Sequence, residues 1–310
     1  MTQNERTESI LVLGAGELGF EVLRHLARQA QTAHGTRINV LLRPSTANST
    51  APDKKREIDE LKEMGVEIAE GDVVTAGENE LAALFAPHDT IISCIGFSAG
   101  PGTQTRITRA VLQAGVKRYV PWQFGVDYDT IGRGSAQDVF DEQLDVRDLL
   151  RSQHDTEWLI VATGMFTSFL FEPSFGVVDL ESDVVHALGS WDNRVTVTTP
   201  GDIGRLTAAI LFHEPRVVNE TVFVAGDTIS YGELADELER ALRRPLSRET
   251  WSVPSLKDAL NTEPDNNLLK YQAVFAAGVG VAWPKTSTFN HRQGIETTDI
   301  PTWIQRHLIK

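Results

Sequence analysis

Short apolar runs alternate with amphipathic segments through the first half of the chain. Runs such as Ser9–Leu13 (SILVL) and Thr90–Ile95 (TIISCI) are typical of strands buried on both faces. Between such runs lie segments with helical spacing, for example Gly19–Gln29, where apolar residues recur every three or four positions. Repeated strand and helix signals at this spacing predict a parallel sheet with helices on both of its faces.

The same patterns place the remaining elements. Predicted strands are Ser9–Leu13, Asn39–Leu42, Val66–Ala69, Thr90–Ile95, Arg118–Pro121, Trp158–Ala162 and Val222–Ala225. Predicted helices are Gly19–Gln29, Lys54–Met64, Glu80–Phe85, Thr105–Gln113, Phe140–Arg151, Ile203–Phe212 and Tyr231–Leu242. Residues 43–53 have the composition of a loop, and the second half is less regular than the first.

These elements predict an α/β protein with a Rossmann-type, doubly wound parallel sheet. We expect the sheet domain to cover residues 1–165, with segments near 195–230 returning to it. A smaller, mixed α/β domain that binds the substrate is expected over residues 166–310.

Composition and charge narrow the class of protein. The 310 residues are 41% hydrophobic, which is ample for a buried core, and the formal net charge is −14. Such an acidic chain is a poor candidate for binding nucleic acids or anionic membranes. A single cysteine, a polar N-terminal segment and the lack of a membrane-spanning apolar run predict a soluble, cytoplasmic protein. The eight histidines have no metal-ligand spacing, so no metal site is expected.

A glycine loop follows the first predicted strand. Gly14, Gly16 and Gly19 form the pattern G-x-G-x-x-G, and Glu17 and Leu18 lie within it at the start of a helix. The first glycine allows the tight turn, the second lets the backbone approach a pyrophosphate, and the third lets helix and strand pack closely. The position of this motif within a β-α-β unit predicts a dinucleotide site; the alternative is a glycine turn retained for packing alone.

The second strand indicates which dinucleotide binds. Sites that prefer NAD commonly end this strand with an acidic residue that holds the ribose 2′-hydroxyl, whereas here the strand is followed by Arg43. A guanidinium suits a 2′-phosphate because it makes forked, charge-assisted hydrogen bonds. We therefore predict NADP(H) as the cofactor.

The fourth strand ends in small residues that would let a cofactor pass. Ser93, Ile95 and Gly96 are expected to contact it, because ligands of such sheets bind beyond the carboxyl ends of the strands. Cys94, in the same segment, has apolar surroundings and is expected to be an unreactive thiol.

Several of these motifs together resemble the NmrA-like, isoflavone-reductase-like group of atypical short-chain dehydrogenases. They are the glycine loop, the arginine after the second strand, EGD at Glu70–Asp72, and AGVKRYVPWQFGVD at Ala114–Asp127. Many members of this group are NADPH-dependent reductases of aromatic natural products, and others are redox-sensing regulators that bind the dinucleotide without turnover. The resemblance covers most of residues 9–240.

The resemblance implies further cofactor contacts. Residues Gln123 and Phe124 lie where the family has a serine-glutamate-phenylalanine-glycine turn beside the nicotinamide, with Trp122 and Gln123 replacing the usual serine and glutamate. Phe124 would lie near the nicotinamide, and Gln104 near the cofactor.

The family's catalytic lysine has no counterpart in this chain. Its phenylalanine-x-x-lysine pattern matches Phe140 to Gln143, which places a neutral amide at the lysine position. Glutamine can hold a carbonyl or hydroxyl group by hydrogen bonding, but it cannot transfer a proton as lysine can. Tyr128, just past the fifth strand, is the candidate replacement as a proton donor; the alternative is an ordinary loop tyrosine.

An aromatic segment follows the sixth strand. Met165, Phe166 and Phe169 belong to the run GMFTSFLFEPSF, which is either core or the wall of a substrate pocket. Its position corresponds to where family members build an aromatic pocket, so we expect these residues, together with Trp122, to contact a flat apolar ligand.

These expectations converge on a reductase that uses NADPH. The predicted substrate is an aromatic or polyketide-like small molecule with a carbonyl or conjugated double bond, as in secondary metabolism. Two alternatives remain open: an NADP-binding sensor without turnover, motivated by Gln143, and a non-redox enzyme that uses the same pocket for isomerisation, dehydration or cyclisation.

Overall fold

The computed structural model describes residues 8–31 and 35–309. Most of the polar N-terminal segment, residues 1–7, lies outside the described residues. Within them the strands, in chain order, are β1 (Glu8–Leu13), β2 (Thr36–Leu42), β3 (Glu67–Glu70), β4 (Thr90–Ser93), β5 (Arg118–Val120), β6 (Glu157–Ala162), β7 (Met165–Phe166), β8 (Val178–Asp179), β9 (Val184–Leu188), β10 (Arg194–Thr198), β11 (Glu220–Phe223), β12 (Asp227–Ser230) and β13 (Ser247–Trp251).

The helices alternate with these strands in the first half of the chain and follow them less regularly in the second. They are α1 (Glu17–Ala30), α2 (Pro44–Ala47), α3 (Pro52–Glu63), α4 (Glu78–Phe85), α5 (Thr103–Gln113), α6 (Tyr128–Ile131), α7 (Val139–Arg151), α8 (Thr167–Leu170), α9 (Pro200–Leu211), α10 (Tyr231–Leu242), α11 (Val253–Thr262), α12 (Asn267–Ala277), α13 (Phe289–Arg292) and α14 (Ile300–His307).

The chain forms two compact units. The first comprises residues 1–123, 145–161 and 203–221, and the second comprises residues 124–144, 162–202 and 222–310.

These boundaries differ from the predicted ones in several segments, of which residues 124–144 are the longest. Residues 124–144 were expected in the sheet domain, but they belong to the second unit. The reason is packing: the ring of Phe140 contacts the ring of Tyr271 on α12, and Lys270 on the same helix forms an ion pair with Asp138 at 2.9 Å.

A seven-stranded sheet organises the first unit, with the strand order β11-β6-β5-β4-β1-β2-β3. The neighbours from β3 through β6 pair in parallel. Strand β1 lies between β2 and β4, so the chain winds outward from it in both directions. The predicted doubly wound α/β fold is confirmed.

The core of this unit explains why continuous apolar runs in the sequence form its strands. Leu11 and Leu13 of β1, together with Ile91 of β4, are fully buried in one cluster with apolar residues of α4 and α5. Alternate residues of the same strands, including Val12 and Ile92, are equally buried. Strands covered on both faces carry continuous apolar sequences, as predicted.

The segment expected to be a loop contains regular structure. Helix α2 occupies Pro44–Ala47, and α3 begins at Pro52 rather than at Lys54. Both helices have proline in their first turn, where the ring's fixed φ suits a helix and the missing N–H costs nothing. The loop prediction for residues 43–53 was therefore wrong in part.

The second unit is built from small sheets and many helices. Its sheets have the orders β12-β10-β7 and β13-β9-β8. A capping box formed by Ser230 and Glu233 begins α10. Asn290 connects the C-terminal segment to the segment just after β11. Its Oδ1 accepts a 3.1 Å hydrogen bond from the N–H of Ala225, and its Nδ2 donates a 2.9 Å bond to the carbonyl of the same residue.

Helix α1 packs on α9 by direct contact of backbones. A Cβ placed on Gly204 of α9 would lie 2.5 Å from the carbonyl carbon of Glu21 and 2.8 Å from the backbone nitrogen of Val22. Only glycine fits at this crossing, so α9 fixes how deeply α1 can lie against its neighbours.

Replacement of Gly204 by alanine is therefore expected to lower the free energy of unfolding by about 2 kcal/mol. The overlap with backbone atoms costs more than the ~1 kcal/mol that alanine gains in helix propensity. Urea denaturation measures the change. Gly232→Ala is the matched control, because its Cβ would meet its nearest atom at 3.3 Å. Equal stabilities of the two variants would contradict the proposed close crossing.

Candidate functional site

The carboxyl ends of four neighbouring strands meet at one cleft. It has a volume of about 410 Å³, within the usual range of roughly 300–1,000 Å³ for ligand sites. Gly14 follows β1, Arg43 follows β2, Gly71 follows β3 and Cys94 follows β4, and all four line the cleft. A parallel sheet brings these ends together because all its strands run the same way, and the cleft lies where the strand order reverses around β1.

Gly14 and Gly19 shape the loop that borders this cleft. Gly14 has φ +84°, in the left-handed region, and a Cβ there would lie 2.8 Å from Cδ1 of Ile95. A Cβ on Gly19 would overlap the carbonyl oxygen of Gly14. The loop can therefore turn back on α1 only with glycine at both positions.

Gly16 has a different environment. It caps the N-terminus of α1, and a Cβ placed on it would meet nothing within 4 Å. Open space in front of the first N–H groups of a 14-residue helix suits a phosphate, which those donors and the helix dipole both favour. The residues present thus fit the pyrophosphate of a dinucleotide.

Arg43 lines the cleft as an exposed cation. Its side chain has no ion pair with any residue in the described part of the chain. The neighbouring basic residues behave otherwise: Lys54 forms an ion pair with Glu57 at 2.7 Å, and Arg56 forms one with Asp53. A guanidinium without a protein partner at the end of β2 is available to a ligand's phosphate.

The segment after β4 is held by a hydrogen bond from Gln104 and packs against the ring of Trp122. Ile95 and Gly96 line the cleft, and the carbonyl of Ile95 accepts a 2.8 Å hydrogen bond from Nε2 of Gln104. The indole of Trp122 packs on Gly96, since a Cβ there would lie 3.1 Å from its Cζ2. Trp122, predicted to bind substrate, thus lies against the cleft, while Gln104 positions the backbone instead of lining it.

Other predicted cofactor residues support the loop instead of lining the cleft. Leu18 is 3% exposed and Ser93 is fully buried, whereas Glu17 is exposed in the first turn of α1. The side chains of Leu18 and Ser93 face the interior of the unit and do not line the cleft, so their contact with the cofactor stays a prediction.

Gln123 is also fully buried. Its Oε1 accepts a 2.7 Å hydrogen bond from Nε of Arg147, which is the largest fully buried side chain among the described residues. A guanidinium can only donate, so the orientation of the Gln123 amide is set by this bond. The pair fixes the turn after β5 that carries Trp122.

Cys94 behaves as the sequence predicted for an unreactive thiol. It lies at the base of the cleft beside Gly19, and its burial raises the pKa of the thiol well above its usual value. A thiol that stays protonated is a poor nucleophile.

Within the second unit, Phe124, Tyr128 and Gln143 are all buried, at 4%, 3% and 0% exposure. The hydroxyl of Tyr128 lies against Gly125, only 2.5 Å from where a Cβ would stand. The alternative to a proton donor was that Tyr128 is an ordinary tyrosine in a surface loop. In the structure its side chain is buried in the interior. The catalytic roles expected for Tyr128 and Gln143 stay predictions.

The aromatic segment divides into core and partly exposed residues. Met165 is 5% exposed and pairs with Val197 across β7 and β10, so it belongs to the core. Phe166 and Phe169 are partly exposed, and the ring of Phe169 packs on that of Phe175 at 4.6 Å. These two phenylalanines remain the candidates for contact with an apolar ligand.

Several residues of the cleft were not singled out from the sequence as site residues. Thr46 and Lys54 line it beside Arg43, and Gly71, Asp72 and Val74 line it after β3. The rule that ligands bind at the carboxyl ends of strands would have found the last three, since EGD follows the third predicted strand.

Neither a metal centre nor a membrane span is found in the described part of the chain. Residues 8–31 and 35–309 contain no group of three or more His, Cys, Asp or Glu side chains placed to hold a metal ion. No described helix combines the length and the apolar character needed to cross a membrane.

Comparison with known proteins identifies relatives along nearly the whole chain. The sequence profile of the NmrA-like family matches residues 6–291. An NmrA-like family domain-containing oxidoreductase from Gibberella moniliformis is 49% identical over 300 residues, which cover 96% of this chain and 98% of that protein. The predicted resemblance is confirmed.

Solved structures show the same fold at lower identity. An isoflavone reductase matches with a TM-score of 0.76 and 20% identity, over 96% of this chain and 99% of its own. A structure titled AtPrR2 with NADP+ and (+)pinoresinol matches with a TM-score of 0.69 and 20% identity, over 89% and 87% of the two chains.

Replacement of Gly16 and of Gly19 by alanine is expected to affect stability to very different degrees. Gly19→Ala should lower the free energy of unfolding by about 2–4 kcal/mol, because its methyl group meets the backbone of Gly14. Gly16→Ala should change it by less than about 1 kcal/mol, since the added methyl group points into open space. Urea denaturation of both variants tests this difference, and a stable Gly19→Ala protein would contradict the geometry of the loop.

Proposed function

The chain belongs to the NmrA-like family, and from this premise we propose that it is an NADPH-dependent reductase of an aromatic or polyketide-like small molecule. The reduced group would be a carbonyl or a conjugated double bond. The carrying observation is the cleft at the ends of β1 to β4, where glycine backbone and an exposed arginine lie together.

The lining of this cleft supports NADP(H) over NAD(H). Gly16 leaves room for the pyrophosphate at the start of α1, and Arg43, which has no partner among the described residues, offers its guanidinium to a 2′-phosphate. Lys54, although paired with Glu57, adds positive charge at the same edge.

The relatives support the reaction class and the kind of substrate. The Gibberella moniliformis relative is named an oxidoreductase, and the matching structures include an isoflavone reductase and a complex with NADP+ and (+)-pinoresinol. Phe166 and Phe169, partly exposed in the second unit, are suited to contact an aromatic ligand.

In this proposal the protein binds and orients, and the bound cofactor supplies the hydride. Gly16 and the N-terminus of α1 hold the pyrophosphate, and Arg43 selects the phosphorylated ribose. The buried Arg147–Gln123 bond keeps the turn with Trp122 in place against Gly96. These contacts bind and position the cofactor, and none of them supplies the proton that the reduced substrate needs.

One observation favours a second candidate function. Gln143 is buried at the family's lysine position and cannot exchange a proton, which is compatible with a protein that binds NADP(H) as a sensor without turnover. A non-redox reaction in the same pocket is the third possibility.

Turnover separates these three functions. Purified protein is mixed with NADPH and a panel of aromatic ketones, enones and quinones, and absorbance of the reduced nicotinamide is followed. Oxidation with any member supports the reductase. Binding without oxidation favours the sensor, conversion of a compound at constant NADPH favours the non-redox enzyme, and absence of NADPH binding overturns both the reductase and the sensor.

Arg43→Ala is expected to weaken NADPH binding by about 10- to 100-fold. This corresponds to the loss of charge-assisted hydrogen bonds worth roughly 1.5–3 kcal/mol, while NADH binding should change little. Fluorescence titration with both cofactors measures the two dissociation constants.

Arg56→Ala is the matched control for this experiment. Arg56 is a nearby, exposed arginine, but it forms an ion pair with Asp53 and does not line the cleft. The control should retain the affinity of the unmodified protein for NADPH. Equal affinities of that protein for NADPH and NADH would refute the assigned role of Arg43.

A further inference from the structure

Helix α5 holds two separate loops of the cleft through two of its side chains. Nε2 of Gln104 donates to the carbonyl of Ile95, in the segment after β4, at 2.8 Å. Nη2 of Arg106 donates 2.9 Å hydrogen bonds to the carbonyls of Val73 and Val74, in the loop after β3. The three acceptor residues line the cleft, whereas Gln104 and Arg106 do not. Both side chains therefore act on the cleft through its backbone.

The loop after β3, residues 71–77, is called the β3 loop below. Within it Val73 is 6% exposed and packs in one core cluster with Ile107 of α5, whereas Val74 is 42% exposed and lines the cleft. The bonds from Arg106 hold the peptide groups of both valines, and Oδ1 of Asp72 accepts a 2.9 Å bond from the N–H of Val74. These bonds together determine which of the two valines faces the cleft.

Arg106 is committed to this loop. Among the described residues its guanidinium forms no ion pair, and its hydrogen bonds go to the two carbonyls of the β3 loop. Its Nε is buried without a hydrogen-bond partner in the same part of the chain. A guanidinium stays charged and can only donate, and its charge strengthens its bonds to carbonyl oxygens. No described carboxylate competes with the loop for this side chain.

The order of the strands indicates which half of a dinucleotide each side of the cleft would contact. Four neighbouring strands run in the order β4-β1-β2-β3. The start of α1, after β1, fits the pyrophosphate, and Arg43, after β2, is assigned to the 2′-phosphate of the adenosine ribose. The adenosine half then extends from β1 towards β3, and the side of β4 is left to the nicotinamide half. Arg106 thus acts on the adenosine side and Gln104 on the opposite one.

We propose that Arg106 is a positioning residue for the adenosine half of NADP(H), acting through the β3 loop. This inference rests on the cofactor in the proposed function and is independent of the substrate. The exposed side chain of Val74 would offer an apolar surface to the adenine ring. Without the two bonds from Arg106 the loop samples other conformations, and the apparent dissociation constant rises as the fraction of binding-competent protein falls.

Arg106→Met removes the donor and keeps a side chain of similar reach. The dissociation constants for NADPH and for adenosine 2′,5′-bisphosphate, which carries only the adenosine half, are both expected to rise about 10-fold. This corresponds to a loop that is in place in about one tenth of the molecules. Isothermal titration calorimetry measures both constants. Arg106→Lys keeps a charged donor, although without the planar fork, and should recover part of the lost affinity.

Hydrogen exchange in the free protein tests the same loop without any ligand. The N–H groups of Val74 and Ala76 are bonded to the side chain and the backbone carbonyl of Asp72. In Arg106→Met both amides should exchange faster, because the β3 loop opens more often, while the amide of Ile92 in β4 should keep its rate. A residue that acted only by touching the cofactor would leave exchange in the free protein unchanged.

Arg109→Met is the matched control. Arg109 lies one turn further along α5, is exposed and does not line the cleft, so this variant loses the same charge without loss of a bond to the β3 loop. It should retain both dissociation constants. Gln104→Met should weaken binding of NADPH and leave that of adenosine 2′,5′-bisphosphate unchanged, since Gln104 holds the opposite side of the cleft.

Three results would overturn the role of Arg106. They are unchanged affinities in Arg106→Met, an equal loss in Arg109→Met, and a loss for NADPH that adenosine 2′,5′-bisphosphate does not share. Urea denaturation establishes that each variant is folded. If Arg106→Met does not fold, Arg106→Gln takes its place with the same expected results, because its short amide cannot reach both carbonyls.

Failure of this inference is distinguishable from failure of the proposed function. If the unmodified protein does not bind NADPH, the cofactor assignment fails and the role of Arg106 fails with it. If the protein binds NADPH but oxidises it with no compound of the panel, the reductase fails while the effect of Arg106→Met on binding still supports the positioning role.

Discussion

The contact between Gly19 and the carbonyl of Gly14 is the constraint on which the site depends. Because no side chain separates α1 from the loop after β1, the helix can begin close to the carboxyl end of that strand. Gly204 imposes a similar limit further along α1. Gly16, which caps the N-terminus of α1, lines the cleft and lies beside open space.

The parallel sheet then assembles the rest of the cleft from distant parts of the chain. Loops after β1, β2, β3 and β4 all begin at the same edge, so residues 14, 43, 71 and 94 become neighbours. Interior bonds keep these loops in place: Gln104 holds the carbonyl of Ile95, and Arg106 donates to the carbonyls of Val73 and Val74 at 2.9 Å. Arg43 lines the cleft and has no such bond among the described residues, which is the basis for its proposed contact with a phosphate.

Neutral amides occupy two buried positions where the family resemblance implies charged groups. By that resemblance, Gln123 takes the place of a glutamate and Gln143 that of a lysine, and both amides are fully buried. Arg147 is a buried cation, and its Nε donates a hydrogen bond to the amide oxygen of Gln123.

The local sequence determined the fold class and the glycine loop, because apolar spacing and glycine stereochemistry act over a few residues. Continuous apolar runs predicted β1 and β4 as strands buried on both faces, and the motif placed Gly14, Gly16 and Gly19 around the start of α1. The rule for strand ends also brought Arg43, Ile95 and Gly96 to one edge.

Tertiary structure alone decided which side chains face that edge and which support it from within. Ser93 and Gln123 have suitable chemistry and position in the sequence, yet both are buried, since the direction of a side chain depends on neighbours far away in the chain. Phe140, Phe169 and Tyr271 share no motif, and only the folded chain brings their rings into contact.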